Sequence, residues 1–415
     1  MCMPVPYSPR SSVLFTAVFG FTVLSGGCQT REDATRKSIE HATPVIHDVY
    51  PGDDIQKVLD GAALALNDDS PGKVTVRLHA GTYRPQRHGQ ALIHFNRRHD
   101  GITLEGVGNV VLTAANDKVA DHTDVSFPAV VNHVVFFGDG ISSRTVLRGI
   151  TITGANGFAG DDKNLPAIEP DSDVPQLEKS LFYYVDGGAI KIFGRSYPTI
   201  DGVIMEENST RLCGAGVSVE HRGFLDQAAA FKNCVFRNNT CPGTGAAIDV
   251  LGGSAAIIEN CLFVGNVANT GMDRIAEEYG LRYNPEHGCG ALTVFPGSRV
   301  TVRRCTFTSN WNGADDKGMG NAYLDSIFWR NVAGDRSRPG EPYELDITDA
   351  SNVRGCYFGG DLVDLRGTID PARNHLNAPD PKFDSLFQPL ADEYQGIGYR
   401  SIGEVEALNA ESKTL

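Results

Sequence analysis

FKNCVFRNN (Phe231–Asn239), IENCLFVGN (Ile258–Asn266) and VRRCTFTSN (Val302–Asn310) are three copies of one phrase, flanked by the looser copies IDGVIMEEN (Ile200–Asn208) and YLDSIFWRN (Tyr323–Asn331). Aligned on the last Asn, the residue three before it is Met205, Phe236, Phe263, Phe307 or Phe328. The residue five before it is Val203, Cys234, Cys261, Cys305 or Ser326, and the residue eight before it is Ile200, Phe231, Ile258, Val302 or Tyr323. Three apolar columns and one Asn column, repeated five times at separations of 31, 27, 44 and 21 residues, make an internal repeat. Repeats of this length stack into solenoids, because each unit can bury its apolar face only against its neighbours.

Working outward, a second phrase precedes four of these copies: GGAIKIF (Gly187–Phe193), GAGVSVE (Gly214–Glu220), GAAIDVL (Gly245–Leu251) and CGALTVF (Cys289–Phe295). Side chains alternate along a strand. Ile190/Ile192, Val217/Val219, Ile248/Val250 and Leu292/Val294 therefore face inward, and each coil supplies at least two short strands. GITLEGVGN (Gly101–Asn109) and LRGITITGAN (Leu147–Asn156) read as earlier coils, with Leu147, Ile150 and Ile152 in the three apolar columns. NVRGCYFGGD (Asn352–Asp361) is a further rung that keeps the Cys and Phe columns and places Asp361 where the Asn would fall. Three stretches are too long for ordinary connections: 113–128, 158–185 and 267–288. In solenoids such insertions gather on the binding face.

The chain has 415 residues, 41% of them hydrophobic, with 46 Gly and 8% aromatics, a composition that suits a turn-rich β protein. Its net charge is −14, from 37 Lys and Arg against 51 Asp and Glu, which argues against nucleic acid or an anionic membrane surface as partner. An acidic polymer could still bind through a bridging Ca2+ or a local basic cluster. At the N-terminus Arg10, the apolar run Val13–Leu24 and the small residues before Cys28 read as an export signal. LSGGC (Leu24–Cys28) resembles a bacterial lipoprotein processing site, although Ser25 stands where that family has Leu. The resemblance implies lipidation of Cys28, the alternative being plain signal cleavage. The polar stretch 29–45 then reads as a flexible tether, and 46–415 as the solenoid. Asp54–Leu66 carries apolar residues at helical spacing, and KVTVRLHAGTYR (Lys73–Arg84) alternates as a strand ending in a Gly turn.

An amphipathic helix followed by VRLHAGTY, together with the GGAI and NCxFxxN phrasing, resembles the pectate-lyase-like superfamily and the β-helix repeats of bacterial surface proteins. That resemblance implies an all-β fold, a right-handed single-stranded parallel β-helix whose short N-terminal helix caps the first coil. It also implies an irregular closing cap near 371–415. The galacturonan hydrolases of the superfamily carry NTD, GHG and RIK motifs; none occurs here, so the pairs Asp161–Asp162 and Asp315–Asp316 do not place the chain among them.

Of the nine Cys, Cys234, Cys261, Cys305 and Cys356 share one inward column, as small buried apolar residues do. Cys213, Cys241 and Cys289 lie in the turns before the GxA strands, where one pair could form a disulfide. The Asn column reads as a stacked turn ladder more readily than as a row of sugar ligands, since Asn tolerates left-handed backbone. The outward positions of the GxA strands are the better candidates for chemistry. Lys191, Ser218, Asp249 and Thr293 form one column, Phe193, Glu220, Leu251 and Phe295 the next, and His221 and Arg222 follow. On an open face, carboxylates could hold Ca2+ against a uronate, Lys191, His221 or Arg222 could take the C5 proton, and the aromatics could stack on sugar rings. The plain alternative is a solvated outer face. Asp161, Asp162, Glu169, Asp171 and Asp173 could ligate Ca2+, or simply form an acidic loop without the DxDxDG spacing. The expected function is that of an exported, monomeric, polysaccharide-engaging β-helix, either a lyase working by β-elimination or a non-catalytic lipid-anchored binding protein.

Overall fold

The computed structural model describes residues 44–66, 74–159, 181–281, 288–334, 342–360 and 364–402. Cys28, Asp161, Asp162, Glu169, Asp171, Asp173 and Asp361 lie outside them. The described chain winds as a parallel β-helix in which all the strand pairings are parallel, gathered into one 17-stranded and one 9-stranded sheet. The larger sheet comprises two ladders. One runs through Ala229–Lys232, Ala255–Glu259 and Arg299–Arg303, the other through Val235–Arg237, Leu262–Val264 and Thr306–Thr308. The smaller sheet stacks the GxA strands, including Ile190–Phe193, Val217–Glu220, Ile248–Val250 and Leu292–Val294. Each coil therefore carries three strands, one more than the minimum that the sequence phrases require.

Two corners per coil are turned by a single residue with left-handed backbone. Asn233, Asn260, Arg304 and Asp325, each just before the Cys column, have φ between 50° and 54°. Glu207, Asn238, Ser309 and Arg330, each just before the Asn column, have φ between 53° and 57°. The repeated Asn is thus not the left-handed residue that turn chemistry suggested. It lies inside, fully or almost fully buried, and works through its side chain. Asn208, Asn239, Asn266 and Asn310 each donate from Nδ2 to the Oδ1 of the next Asn at 2.8–3.1 Å. Asn239, Asn266 and Asn310 also donate to the carbonyls of Met205, Phe236 and Phe263 in the preceding coil. Past Asn331 the ladder ends on Glu344, which reaches in from the smaller sheet and whose carboxylate accepts from the backbone N–H and Nδ2 of Asn331.

Inside this frame the Phe column stacks face to face. Phe236, Phe263, Phe307, Phe328 and Phe358 have successive ring centroids 4.5–5.1 Å apart, close to the spacing of neighbouring strands. Cys234, Cys261, Cys305 and Cys356 are free and buried, as a core column should be, and Cys305 donates its backbone N–H to Ser326 Oγ. Cys213, Cys241 and Cys289 are reduced, so no disulfide joins the turns. The N-terminal helix forms over Ile55–Ala63. Asp54 caps it by accepting from Lys57 N–H, and Ile55, Leu59 and Ala62 are buried in the solenoid core. At the other end Asn374 continues the stack by accepting from Cys356 N–H. The chain then runs back outside the second ladder. Tyr394 packs with Ile327 and Trp329, Tyr399 packs with Leu262 and Val264, and Arg400 N–H donates to Asn260 Oδ1. Ile369, Asn374 and Leu376 thus cover the last rung, and the residues after Ala378 run as an external strap.

Candidate functional site

Strand register aligns the predicted column as Phe136, Lys191, Ser218, Asp249, Thr293, Asp315 and Asp346 along the smaller sheet. The column points away from the core, as alternation requires, but the expected open face is not there. Lys191, Ser218 and Asp249 are fully buried, and Glu220 and Thr293 nearly so. The covering comes from the insertions. The short helix Leu181–Val185 brings the Phe182 carbonyl to Lys191 Nζ, which also donates to Ser218 Oγ and, at 2.8 Å, to Glu220 Oε2. The helix Met272–Tyr279 lays Ile275 against Leu212, Cys213 and Val185.

Individual residues depart from the roles suggested for them. His221 is buried with both ring nitrogens engaged, Nε2 toward the Ser196 carbonyl and Nδ1 accepting from Ala255 N–H; burial lowers its pKa to about 4. It fixes a turn and cannot act as a base open to substrate. Arg222 sits at a corner with φ 59° and pairs with Glu220 at 3.3 Å. Phe193 packs with Phe136 and Tyr183 beneath the covering helix, and Phe295 is half-buried. Thr293 accepts from Cys289 N–H. Of the Asp315–Asp316 pair, Asp315 faces outward to Lys317, and Asp316 turns inward to Asn321 and Tyr323. The structure thus brings Lys191, Ser218 and Glu220 together as a sealed polar cluster. Lys191→Met should lower stability by about 3 kcal/mol, because removing one member of a buried pair leaves the other charge poorly compensated. Denaturant unfolding reads this directly; a change below about 1 kcal/mol would contradict the burial.

An open cleft lies elsewhere. A cavity of about 590 Å³ opens between the capping helix, the strand end at Thr82–Tyr83 and the segment Asn96–His99. Its lining includes Arg84, Arg87 and Arg98, all exposed. The three carboxylates in the lining already have partners: Asp53 accepts from Tyr50 N–H, Asp54 caps the helix, and Asp60 pairs with His99 Nε2 at 2.9 Å. Arg84 donates to the Ala115 carbonyl, whereas Arg87 and Arg98 make no ion pair among the described residues. Burial lowers the pKa of His94, in the cleft floor, to about 4, and burial also holds His99 below its ordinary value. The available charge in the cleft is therefore guanidinium. Sequence reasoning passed over these residues. The signal was RPQRHG (Arg84–Gly89) and NRRHD (Asn96–Asp100), two basic runs in a chain of net charge −14.

A family model described as a right-handed β-helix region matches residues 93–325, over half of the chain. No curated protein matches the chain.

Proposed function

Because the chain belongs to the right-handed β-helix family, we propose that it is an exported, lipid-anchored protein that binds an acidic polysaccharide in the cleft beside its capping helix, without cleaving it. The observation that carries this reading is the pair of guanidiniums, Arg87 and Arg98, that make no ion pair among the described residues, in a cleft whose carboxylates are already occupied. Guanidinium presents planar, paired donors to a carboxylate, which is the charged group of a uronate. The cleft admits a few sugar residues rather than a long chain, so a polymer would be held at one point along its length. Eliminative cleavage loses support because, of the three bases expected to take the C5 proton, Lys191 is sealed and committed to Glu220, His221 is buried with both ring nitrogens engaged, and Arg222 is paired with Glu220. Anchoring rests on the N-terminal sequence alone; no helix among the described residues is long and apolar enough to cross a membrane.

Calorimetric titration of the full chain with oligouronates tests the reading. Binding should weaken as salt is raised, and should weaken at least tenfold for neutral oligosaccharides of equal length. The double variant Arg87→Ala/Arg98→Ala should lose about tenfold per guanidinium. Ultraviolet absorbance of unsaturated product should stay flat with and without Ca2+. Equal affinity for the neutral oligomer, or indifference to the double substitution, would sink the proposal, and a rising absorbance would restore the lyase reading.

A further inference from the structure

Beneath the two covering helices, Asp186, Cys213 and Asp249 come together. One oxygen from each carboxylate and the thiol sulfur lie within 4.8 Å of one another, and all three residues are buried. Their positions follow from the solenoid. Asp249 is the outward residue of Ile248–Val250, Cys213 lies in the turn before Val217–Glu220, and Asp186 directly follows the helix Leu181–Val185. Asp186 Oδ1 accepts from Cys213 N–H at 3.0 Å, and Asp249 Oδ1 accepts from Thr244 Oγ1 at 3.2 Å. The second oxygen of each carboxylate, Asp186 Oδ2 and Asp249 Oδ2, is buried without a hydrogen-bond partner.

Two such oxygens beside a thiol are costly to leave unmatched, because a buried carboxylate needs a proton, a cationic partner or a metal. Lys191 is the neighbouring cation, but its ammonium is already committed to Phe182, Ser218 and Glu220. The backbone around the group is closely fitted: a Cβ at Gly243 would come within 2.7 Å of Cys213 Sγ, and one at Gly245 within 2.6 Å of Asp249 Oδ1. We propose that Asp186, Cys213 and Asp249 are three protein ligands of a divalent metal site selective for zinc, which ties the end of the helix Leu181–Val185 to the solenoid wall. The donor set determines the class of ion. A thiolate excludes calcium and magnesium as preferred occupants, and one sulfur with two carboxylate oxygens suits zinc. Binding displaces the thiol proton to solvent and leaves the metal on a set carrying up to three negative charges.

The site differs in place and purpose from the basic cleft, and the two stand or fall separately. The test uses the full chain without a polyhistidine tag. Elemental analysis after purification free of chelator should find about one zinc per chain. Exchange with cobalt should produce the near-ultraviolet band of a thiolate bound to cobalt, and chelation should lower Tm by about 5 °C, reversed by added zinc. Cys213→Ser should abolish the cobalt band, and Cys305→Ser, on the inner column, should keep it. Asp249→Asn should weaken zinc binding at least tenfold. Absence of the band in the unsubstituted chain overturns the proposal, and so does a band that survives Cys213→Ser. A rise in Tm on Asp249→Asn would also overturn it, because that result marks two carboxyls kept neutral by protons. The cobalt spectrum of the unsubstituted chain decides the matter even if the variants fail to fold.

Discussion

Asn239→Ala should destabilise the protein by about 5 kcal/mol, a loss large enough to unfold many single domains. The Asn239 side chain serves both neighbouring coils. Its Oδ1 accepts from the backbone N–H and Nδ2 of Asn208, and its Nδ2 donates to Met205 O and Asn266 Oδ1. Truncation strands these groups where water cannot reach, and each buried orphan costs about 1–3 kcal/mol. Equilibrium denaturation of Asn239→Ala against the parent measures the loss, with the exposed Lys232→Ala as a reference expected to stay within about 0.5 kcal/mol. A small change for Asn239→Ala would mean that the ladder is ornamental and that the stacked core alone holds the coils.

The second large effect lies at the ladder's end. Burial raises the pKa of Glu344 from its ordinary value of 4.5 to about 8, outweighing the hydrogen bonds from Asn331 that favour its carboxylate. The folded state thus holds this proton more tightly than the unfolded chain does. The resulting stabilisation is fully present below about pH 4.5, is lost progressively as pH rises, and is exhausted once pH passes about 8. At about 1.4 kcal/mol per pKa unit, the loss across that window is on the order of 5 kcal/mol. Glu344→Gln cannot ionise, so the stability difference between variant and parent should grow in the variant's favour from pH 5 to pH 9. Unfolding curves for both proteins at several pH values cancel the contribution of the other carboxyl groups. A difference that stays constant with pH would show that Glu344 titrates normally and that solvent reaches the ladder's end.

These two residues mark what the sequence makes legible. Phe263, Cys261 and Asn266 recur at fixed spacing because each faces the interior, where packing and hydrogen bonding demand the same residue type in every coil. The helix at Ile55–Ala63 was legible for a similar reason, as an amphipathic face with a capping Asp54. Lys191 and Asp249 show the limit. Alternation correctly set them outside the barrel wall, but alternation gives direction and says nothing of cover. Lys191 is covered by Phe182, and Ile275 packs over the neighbouring Cys213; both come from insertions outside the repeat period. The Arg87–Arg98 cleft was missed because it joins a turn and a short helical segment with no shared periodicity. Glu344, too, escaped notice: it lies level with Gly313 on the strand Tyr343–Ile347, outside the Asn column, and only its side chain reaches Asn331.

The placement of binding in the open cleft, away from the sealed column, is tested most directly by hydrogen–deuterium exchange of the full chain with and without a saturating oligouronate. Slowed exchange should centre on residues 82–99 and the capping helix Ile55–Ala63, with residues 190–222 and 248–250 unchanged. Protection on the smaller-sheet column from Lys191 to Thr293, or none anywhere at saturation, would contradict the account.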